Sequence, residues 1–576
     1  MIGMRLLFLQ RVIMSALLLL WVGLLHHQVV EGAYYRQKAD KNRIRLVPLP
    51  ASRGAVVDRH GIPLVEDQMS FELAVFPQEV DSPSLLWRQL APIVERSTEE
   101  LARAYRRGYQ APFAPVTLVH NLPPATAFLL EEKKSELPGT LVRPIPKRRY
   151  LLGASLGPVM GYLGLISEKE LTRLKPYGYT IRDYVGKDGL EQMYDPYLRG
   201  HSGGLQVEVD HRGRMVRQMG YLPPQRGRQV RVSLDGRLQQ FCHQLLAEQK
   251  GAIIIMEPRS GEILALVSAP TFDPNAFLDF SRRQEVRNYL RSRERPMFNR
   301  AIRSAVPPGS TFKVAVASEA LQEGKITGGT HFECGGEFKL GRSVFRCWWD
   351  PGHGPQDVIR ALEHSCNVFF YNTGRRLGPE GIGHAAESFG FGQKTKIDLP
   401  REGIGFIPNP SWMKTAHQQP WQEGDTLSFA IGQSALTATP IQILQLFTAI
   451  AMEGRIPQPH LVLEIEGERK GKAYEVRQLE FKKEVLERVK AGMERVVSSD
   501  SGTGRLAQLP GIPAAGKTGT AQSGKGQSHA WFAGYSPPRD PKVSFVVFLE
   551  HGGRGGAEAA LLVRDMLVYL HELGYV

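Results

Sequence analysis

Residues 306–321 read VPPGSTFKVAVASEAL. Pro307, Pro308 and Gly309 punctuate the chain, and the run after them predicts a helix that opens beside Ser310, with Lys313 one turn later on the same face. A serine hydroxyl is a poor nucleophile until a base takes its proton, and an amine can do so only when neutral. Apolar Val314, Ala315 and Val316, together with a second cation nearby, would push that amine's pKa down. The N–H groups at a helix start also face the place where an oxyanion develops. Nucleophile, base and N–H donors, the parts of an acyl-transfer site, therefore stand within one short stretch.

By itself Ser-x-x-Lys is weak, because about two copies arise by chance in a chain of this size. A second copy does occur, SWMK at Ser411 and Lys414. Company and order separate the two. After Ser310 come Ser365-Cys366-Asn367 and then Lys517-Thr518-Gly519-Thr520, each present once. KTGTAQ has the character of an edge strand. Lys517 offers a cation, Thr518 and Thr520 offer hydroxyls, and Gly519 would let a substrate backbone come close. Such a strand can bind a peptide that ends in a carboxylate.

With 576 residues the chain is too long for one core, so two or more domains are expected. Its 42% hydrophobic and 23% charged residues are those of globular domains. A net charge of +14 suggests an anionic surrounding, but no zinc-finger, RRM or basic-zipper pattern favours nucleic acid, and none is expected as a partner. An unbroken apolar run from Val12 to Leu25, extendable back to Leu6, sends the N-terminus to a membrane, either as a retained anchor or as a cleaved signal peptide. Arg5 and Arg11 precede the run, while Arg36, Lys38, Lys41, Arg43 and Arg45 follow it. That count taken alone would put the large domain inside.

Downstream, LVPLPASRGAVVDRHGIPLV reads as extended segments with a turn at Arg59-His60-Gly61, and a helical stretch is expected near Ser97 to Arg107. An amphipathic helix from about Leu190 to Leu198 precedes a Gly-rich turn and a strand. PPQRGRQV at 223–230 has the composition of a linker. Beyond it come a helical LDGRLQQFCHQLLAEQ, a hairpin GAIIIMEPRSGEILALVSAP, the helix after Gly309, a helical TPIQILQLFTAIAMEG, strands at KVSFVVFLE and a closing helix near Ala559 to Leu573. This order predicts an α+β domain with a mainly antiparallel sheet.

The ordered trio around Ser310, Ser365 and Lys517 is shared by penicillin-binding proteins and serine β-lactamases. The whole chain resembles the class B, elongation-type penicillin-binding proteins, through ADKNRIRLVPLPASRGAVVDRHG, GKDGLEQMYDPYLRG, NRAIRSAVPPGSTFK, FRCWWDPGHG, SFAIGQSALTATPIQ, KTGTAQ and HAWFAGYSP. The resemblance implies an N-terminal transmembrane helix in residues 1–32, an elongated β-rich, non-catalytic, dimerisation-like pedestal in 33–225, and a penicillin-binding/serine β-lactamase-like transpeptidase domain in 226–576. It implies a single-pass protein of the inner (cytoplasmic) membrane whose catalytic domain is periplasmic, which overrides the charge count. The implied activity is D,D-transpeptidation of peptidoglycan stem peptides on lipid-linked nascent glycan. Ser310 would be the nucleophile and Lys313 its base. Ser365 and Asn367 would relay a proton and hold the substrate amide, Lys517, Thr518 and Thr520 would hold the terminal carboxylate, and the N–H groups of Ser310 and Thr520 would form the oxyanion hole. β-Lactams should acylate Ser310. A SEDS-family glycosyltransferase and rod-complex membrane proteins are the implied partners.

Ser365 and Asn367 facing the cleft leave Cys366 facing the protein behind it. Cys334, Cys347, His353 and Cys366 offer three thiolates and an imidazole, a closed tetrahedral set suited to structural Zn2+. Some elongation-type relatives are similar here, with two aspartates, a histidine and a cysteine at matching spacing, so cysteines stand at the two aspartate positions in this chain. A disulfide between two of the three, or free buried thiols, are the alternatives. No cofactor is expected for the acyl transfer itself. Rival functions are a septal transpeptidase, a β-lactam-sensing receptor or β-lactamase, a D,D-carboxypeptidase and a non-catalytic scaffold. The long pedestal argues against the receptor and the lactamase, and the complete motif set argues against the scaffold.

Overall fold

The computed structural model describes residues 2–181, 183–210, 215–468, 473–522 and 526–576. Helix α1, Ile2–Leu25, runs on into a π-helical turn at His26–Val30. The span Leu6–Val30 is long and apolar enough to cross a membrane, and its apolar side chains are exposed, Leu19 by 73%.

Packing divides the chain into two compact units that interleave in sequence: residues 1–54, 67–147 and 199–227 form one, and 55–66, 148–198 and 228–576 the other. In the first unit, β1 (Ile44–Leu49), β2 (Gly203–Val209) and β3 (Met215–Leu222) make an antiparallel sheet in that order. The far part of a strand over Pro63–Val75 pairs with Val116–Leu122, Leu73 opposite Val119. Leu73, Leu86, Leu90, Leu101, Val119 and Leu130 form its core with three short helices. One of these, Thr98–Gly108, starts at Ser97, whose hydroxyl accepts from Glu100 N–H while the Glu100 carboxylate accepts from Ser97 N–H.

In the second unit, helix α2, Gly236–Leu245, is capped by Asp235, which accepts from the N–H groups of Arg237 and Leu238. Strands β4 (Gly251–Met256) and β5 (Ile263–Ala269) form the expected hairpin. Helices α3 (Lys313–Gln322), α4 (Val358–Glu363), α5 (Asn367–Ser388), α6 (Pro440–Ala451) and α7 (Lys483–Ser498) follow. Strands β6 (Ala515–Ala521), β7 (His529–Ser536) and β8 (Val543–Leu549) precede the closing α8 (Ala560–Glu572). The sheet order is β5-β4-β8-β7-β6, antiparallel throughout, which leaves β6 at an edge.

The nearly unbroken apolar runs of β4 and β8 follow from burial on both faces. Ile254, Met256, Val546 and Phe548 pack on one side with α3 and α6. Ile253, Ile255, Phe545 and Val547 pack on the other with α2 and α8. Period-two alternation thus persists, with apolar residues at both phases.

One reading needs correction. The helix expected over Leu190–Leu198 breaks at Tyr194 into Gly189–Met193 and Asp195–Leu198. There the Tyr194 hydroxyl donates to Asp398, and the buried Asp195 carboxylate accepts from Gly186 N–H and Tyr179 OH. Asp58, Arg59 and Gly61 lie in the segment 55–66, which packs with the second unit. Asp58 accepts from the N–H groups of His60 and Ile62 at 2.8 Å, and Arg59 N–H donates to Leu234 O.

Candidate active site

Ser310 lies in a tight turn, Gly309–Phe312, that leads into α3. The turn is wedged between neighbours. Gly309 has φ +55°, its N–H donates to Gly432 O, and a Cβ there would lie 2.9 Å from Thr520 O. Only glycine adopts this backbone without strain and tolerates that approach. Ser310 is half-buried, and Lys313 at the start of α3 is fully buried.

The Lys313 amine donates to Asn367 Oδ1 at 2.6 Å and to Ser365 O at 2.8 Å, with Ser365 Oγ at 3.4 Å. Burial lowers its pKa to about 8, against an opposing pull from the thiols of Cys347, Cys366 and Cys334. Ser365 is a non-glycine residue at φ +53°. It ends α4 in the left-handed region, and α5 begins two residues on, at Asn367. That turn brings Ser365 and Asn367 to Lys313 while the side chain between them, Cys366, is fully buried.

Strand β6 forms the opposite wall, with Lys517 opposite Ala533 and Gly519 opposite Trp531 of β7. Lys517 is fully buried and its amine donates to Thr518 O. Burial, and then the charge of Lys313, hold its pKa well below the ordinary lysine value. Thr518 and Thr520 share the other face of the strand. Thr518 Oγ1 lies 2.9 Å from Thr503 Oγ1, and exposed Thr520 takes Gly555 N–H on its hydroxyl. Gly519 also serves the packing of the fold. A Cβ there would meet Pro308 O and Thr311 Cγ2, both at 3.0 Å, so its missing side chain makes room for the Ser310 turn. The second Ser-x-x-Lys, Ser411 to Lys414, sits exposed on a short surface helix, Pro410–His417.

Behind the site Cys334, Cys347, His353 and Cys366 place their ligand atoms within 4.8 Å of one another. All four cysteines, Cys242 included, are unbridged and buried. Cys242 packs apart from the cluster, in the core between α2 and the sheet. His353 Nδ1 is 3.5 Å from the sulfurs of both Cys334 and Cys347. Asn367 N–H points at the Cys347 sulfur, 3.4 Å away. A hydrogen bond from Cys366, aided by His353, lowers the Cys347 thiol pKa while its partner's is raised, so one thiol of the pair ionises first.

Reading the sequence missed Thr503 and Glu363. Neither belongs to a spaced motif, and each acquires its place from a partner far along the chain.

The sequence profile of the penicillin binding protein transpeptidase domain matches residues 251–567, and that of the penicillin-binding protein dimerisation domain matches 48–232. The chain is 32% identical to the peptidoglycan D,D-transpeptidase MrdA of Haemophilus influenzae, over 96% of its own length and 89% of that protein. Among solved structures, it superposes on penicillin-binding protein 2 from the Helicobacter pylori complex with MreC. The TM-score is 0.82 and the identity 28%, covering 92% of this chain and 99% of that one. A chain from a structure described as coordinating polymerization and crosslinking in a peptidoglycan synthase complex matches with TM-score 0.75 and 31% identity, 98% of each chain being covered. Motif geometry, two domain profiles and near full-length relatives agree: the chain belongs to the class B penicillin-binding proteins, within the elongation-type penicillin-binding protein 2 family.

Proposed function

We infer that this chain is a serine-type D-Ala-D-Ala transpeptidase that cross-links peptidoglycan stem peptides during cell elongation. The observation that carries this is the buried Lys313 amine held between Ser365 and Asn367, one helical turn from Ser310 and across from the edge strand β6. With a pKa of about 8, about a tenth of the lysines are neutral at pH 7 and able to accept a proton.

Ser310 Oγ attacks the carbonyl of the penultimate D-Ala, Lys313 takes the hydroxyl proton, and the N–H groups of Ser310 and Thr520 stabilise the oxyanion. The proton passes through Ser365 to the departing amine, and the terminal D-Ala leaves. An amine from a neighbouring stem attacks the ester, loses its proton by the same route and regenerates Ser310. Thr518, Thr520 and Lys517 hold the terminal carboxylate, and Asn367 holds the substrate amide. A β-lactam enters the same path and stays as the acyl-enzyme. The carboxypeptidase reaction differs only in water replacing the acceptor amine.

The cysteine cluster fits Zn2+. A tetrahedral site with zinc–sulfur of about 2.3 Å and zinc–nitrogen of about 2.0 Å has sulfur-to-nitrogen edges of about 3.5 Å, and His353 Nδ1 stands at 3.5 Å from two sulfurs. Cys334, Cys347, His353 and Cys366 would hold the ion. It would supply structural cross-linking between the hairpin at 332–356 and the Ser365 to Asn367 turn, and no chemistry of the acyl transfer.

The apolar helix supports a single-pass anchor in the inner membrane with the second unit in the periplasm. The Helicobacter relative's complex with MreC and the synthase complex support rod-complex membrane proteins and a SEDS-family glycosyltransferase as partners, working on lipid-linked glycan. Along the sequence we propose 1–32, 33–225 and 226–576 as the corresponding division of labour, with 55–66 and 148–198 packed in the second unit.

Fluorescent penicillin labelling of membranes tests the reading. Wild type and Ser411→Ala should label equally and Ser310→Ala not at all. Absence of label on folded, metal-loaded wild type would put the scaffold reading in its place.

A further inference from the structure

The two walls of the cleft carry different motifs, and their separation sets whether one substrate can touch both. Glu363 lies two residues before Ser365, and its side chain is 1% exposed. One carboxylate oxygen takes the hydroxyls of Ser499 at 2.5 Å and Ser501 at 2.7 Å, and the other takes Arg495 Nε at 2.5 Å. Its backbone carbonyl accepts from Thr503 N–H at 3.3 Å. Thr503 Oγ1 in turn accepts from Thr518 Oγ1 of β6 at 2.9 Å. His364 adds a parallel tie, through Nε2 to Ser501 Oγ at 3.2 Å. A continuous run of hydrogen bonds therefore leads from the Ser365 turn, through the loop after α7, to the hydroxyl of Thr518.

We propose that Glu363 is a positioning residue that, through Ser499, Ser501 and Thr503, fixes the Thr518 hydroxyl of the carboxylate-binding strand relative to Ser365 and Asn367. This rests on the transpeptidase reading above. A buried carboxylate with three donors is a rigid hub, because leaving any of its bonds unmade strands a desolvated group. Thr503 transmits the constraint. Its N–H is held on the Glu363 side and its hydroxyl accepts from Thr518, which fixes the position of Thr518 Oγ1 before a carboxylate arrives. When one binds, the Thr518 hydrogen turns to it and the Thr503 hydroxyl donates to Thr518 in return. Glu363 touches neither substrate nor Ser310, and its effect should fall on carboxylate recognition rather than on the acyl-transfer chemistry.

The test uses the full-length protein and two probes, a penicillin and the methyl ester of the same penicillin. Acylation is resolved into pre-covalent affinity and acylation rate. Thr503→Val removes the link to Thr518 while preserving shape, and Glu363→Gln weakens the hub without emptying its space. For each, about a tenfold loss of pre-covalent affinity for the carboxylate form is expected, with the ester unchanged, so the preference for carboxylate over ester collapses. The double variant should lose no more than the worse single one, because both lie on one path. An equal loss on both probes would overturn the proposal, as would additive losses or an unchanged preference in Thr503→Val. If Glu363→Gln fails to fold, Thr503→Val alone decides. Acylation of wild type that Ser310→Ala abolishes checks the underlying reading separately.

Discussion

Lys313 Nζ lies 2.6 Å from Asn367 Oδ1, a contact between the first helix of the site and the turn that opens α5. Neutral Asn367 can receive the lysine's hydrogen bond without adding a charge that would stabilise the ammonium. Burial is then free to lower the lysine pKa, to about 8.

The acylation rate should therefore rise with pH as Lys313 loses its proton, with a midpoint near pH 8 and a plateau about one unit above it. Stopped-flow acylation by a β-lactam across pH 6 to 10 measures this. A rate that falls over that range would exclude the neutral amine as base. Lys313→Arg, charged at every pH tested, should lose at least about 1000-fold.

Asn367→Asp places a carboxylate beside the amine. An opposite charge at this range raises a lysine pKa by about 1–3 units. The midpoint of the same profile should move to higher pH, with a lower rate at neutrality. An unmoved midpoint would show that Lys313 does not set it.

Purified protein should carry one zinc per chain, and denatured protein should show four reactive thiols with no disulfide in its peptide map. Cys347→Ala should release the metal, lower Tm and reduce penicillin labelling. Cys242→Ser, altered outside the cluster, should keep the metal. Absence of zinc together with a disulfide in the map would replace the metal site by a bridge.

Gly309→Ala adds a methyl group 2.9 Å from Thr520 O, at φ +55°. About 1–2 kcal/mol of backbone strain is expected in addition to the clash. Acylation should fall at least about tenfold, because the turn and β6 must separate. Ile254→Ala, on a buried face of the central strand β4, should instead cost about 2–5 kcal/mol of stability and leave the acylation rate of folded protein unchanged.

The sequence by itself determined what depends on near neighbours. It gave the helix after Pro-Pro-Gly with Lys313 one turn from Ser310, the start of the helix at Ser97, the β4–β5 hairpin, the apolar N-terminal span and the motif order. These are matters of periodicity, capping and turn chemistry, which act over a few residues. The set Cys334, Cys347, His353 and Cys366 was also legible, since a scarce residue type stood beside a catalytic motif. Only the tertiary structure decided which Ser-x-x-Lys is buried against a second wall and which, at Ser411, lies on the surface. It also decided that Gly519 makes room for Pro308 and Thr311, that Asp58 packs with the C-terminal unit, and that Glu363 meets Thr503, which in turn meets the strand of Thr518. Each of these is a close approach between segments far apart in the chain. Such contacts are fixed by how whole layers pack and leave no local pattern for a reader of the sequence to find.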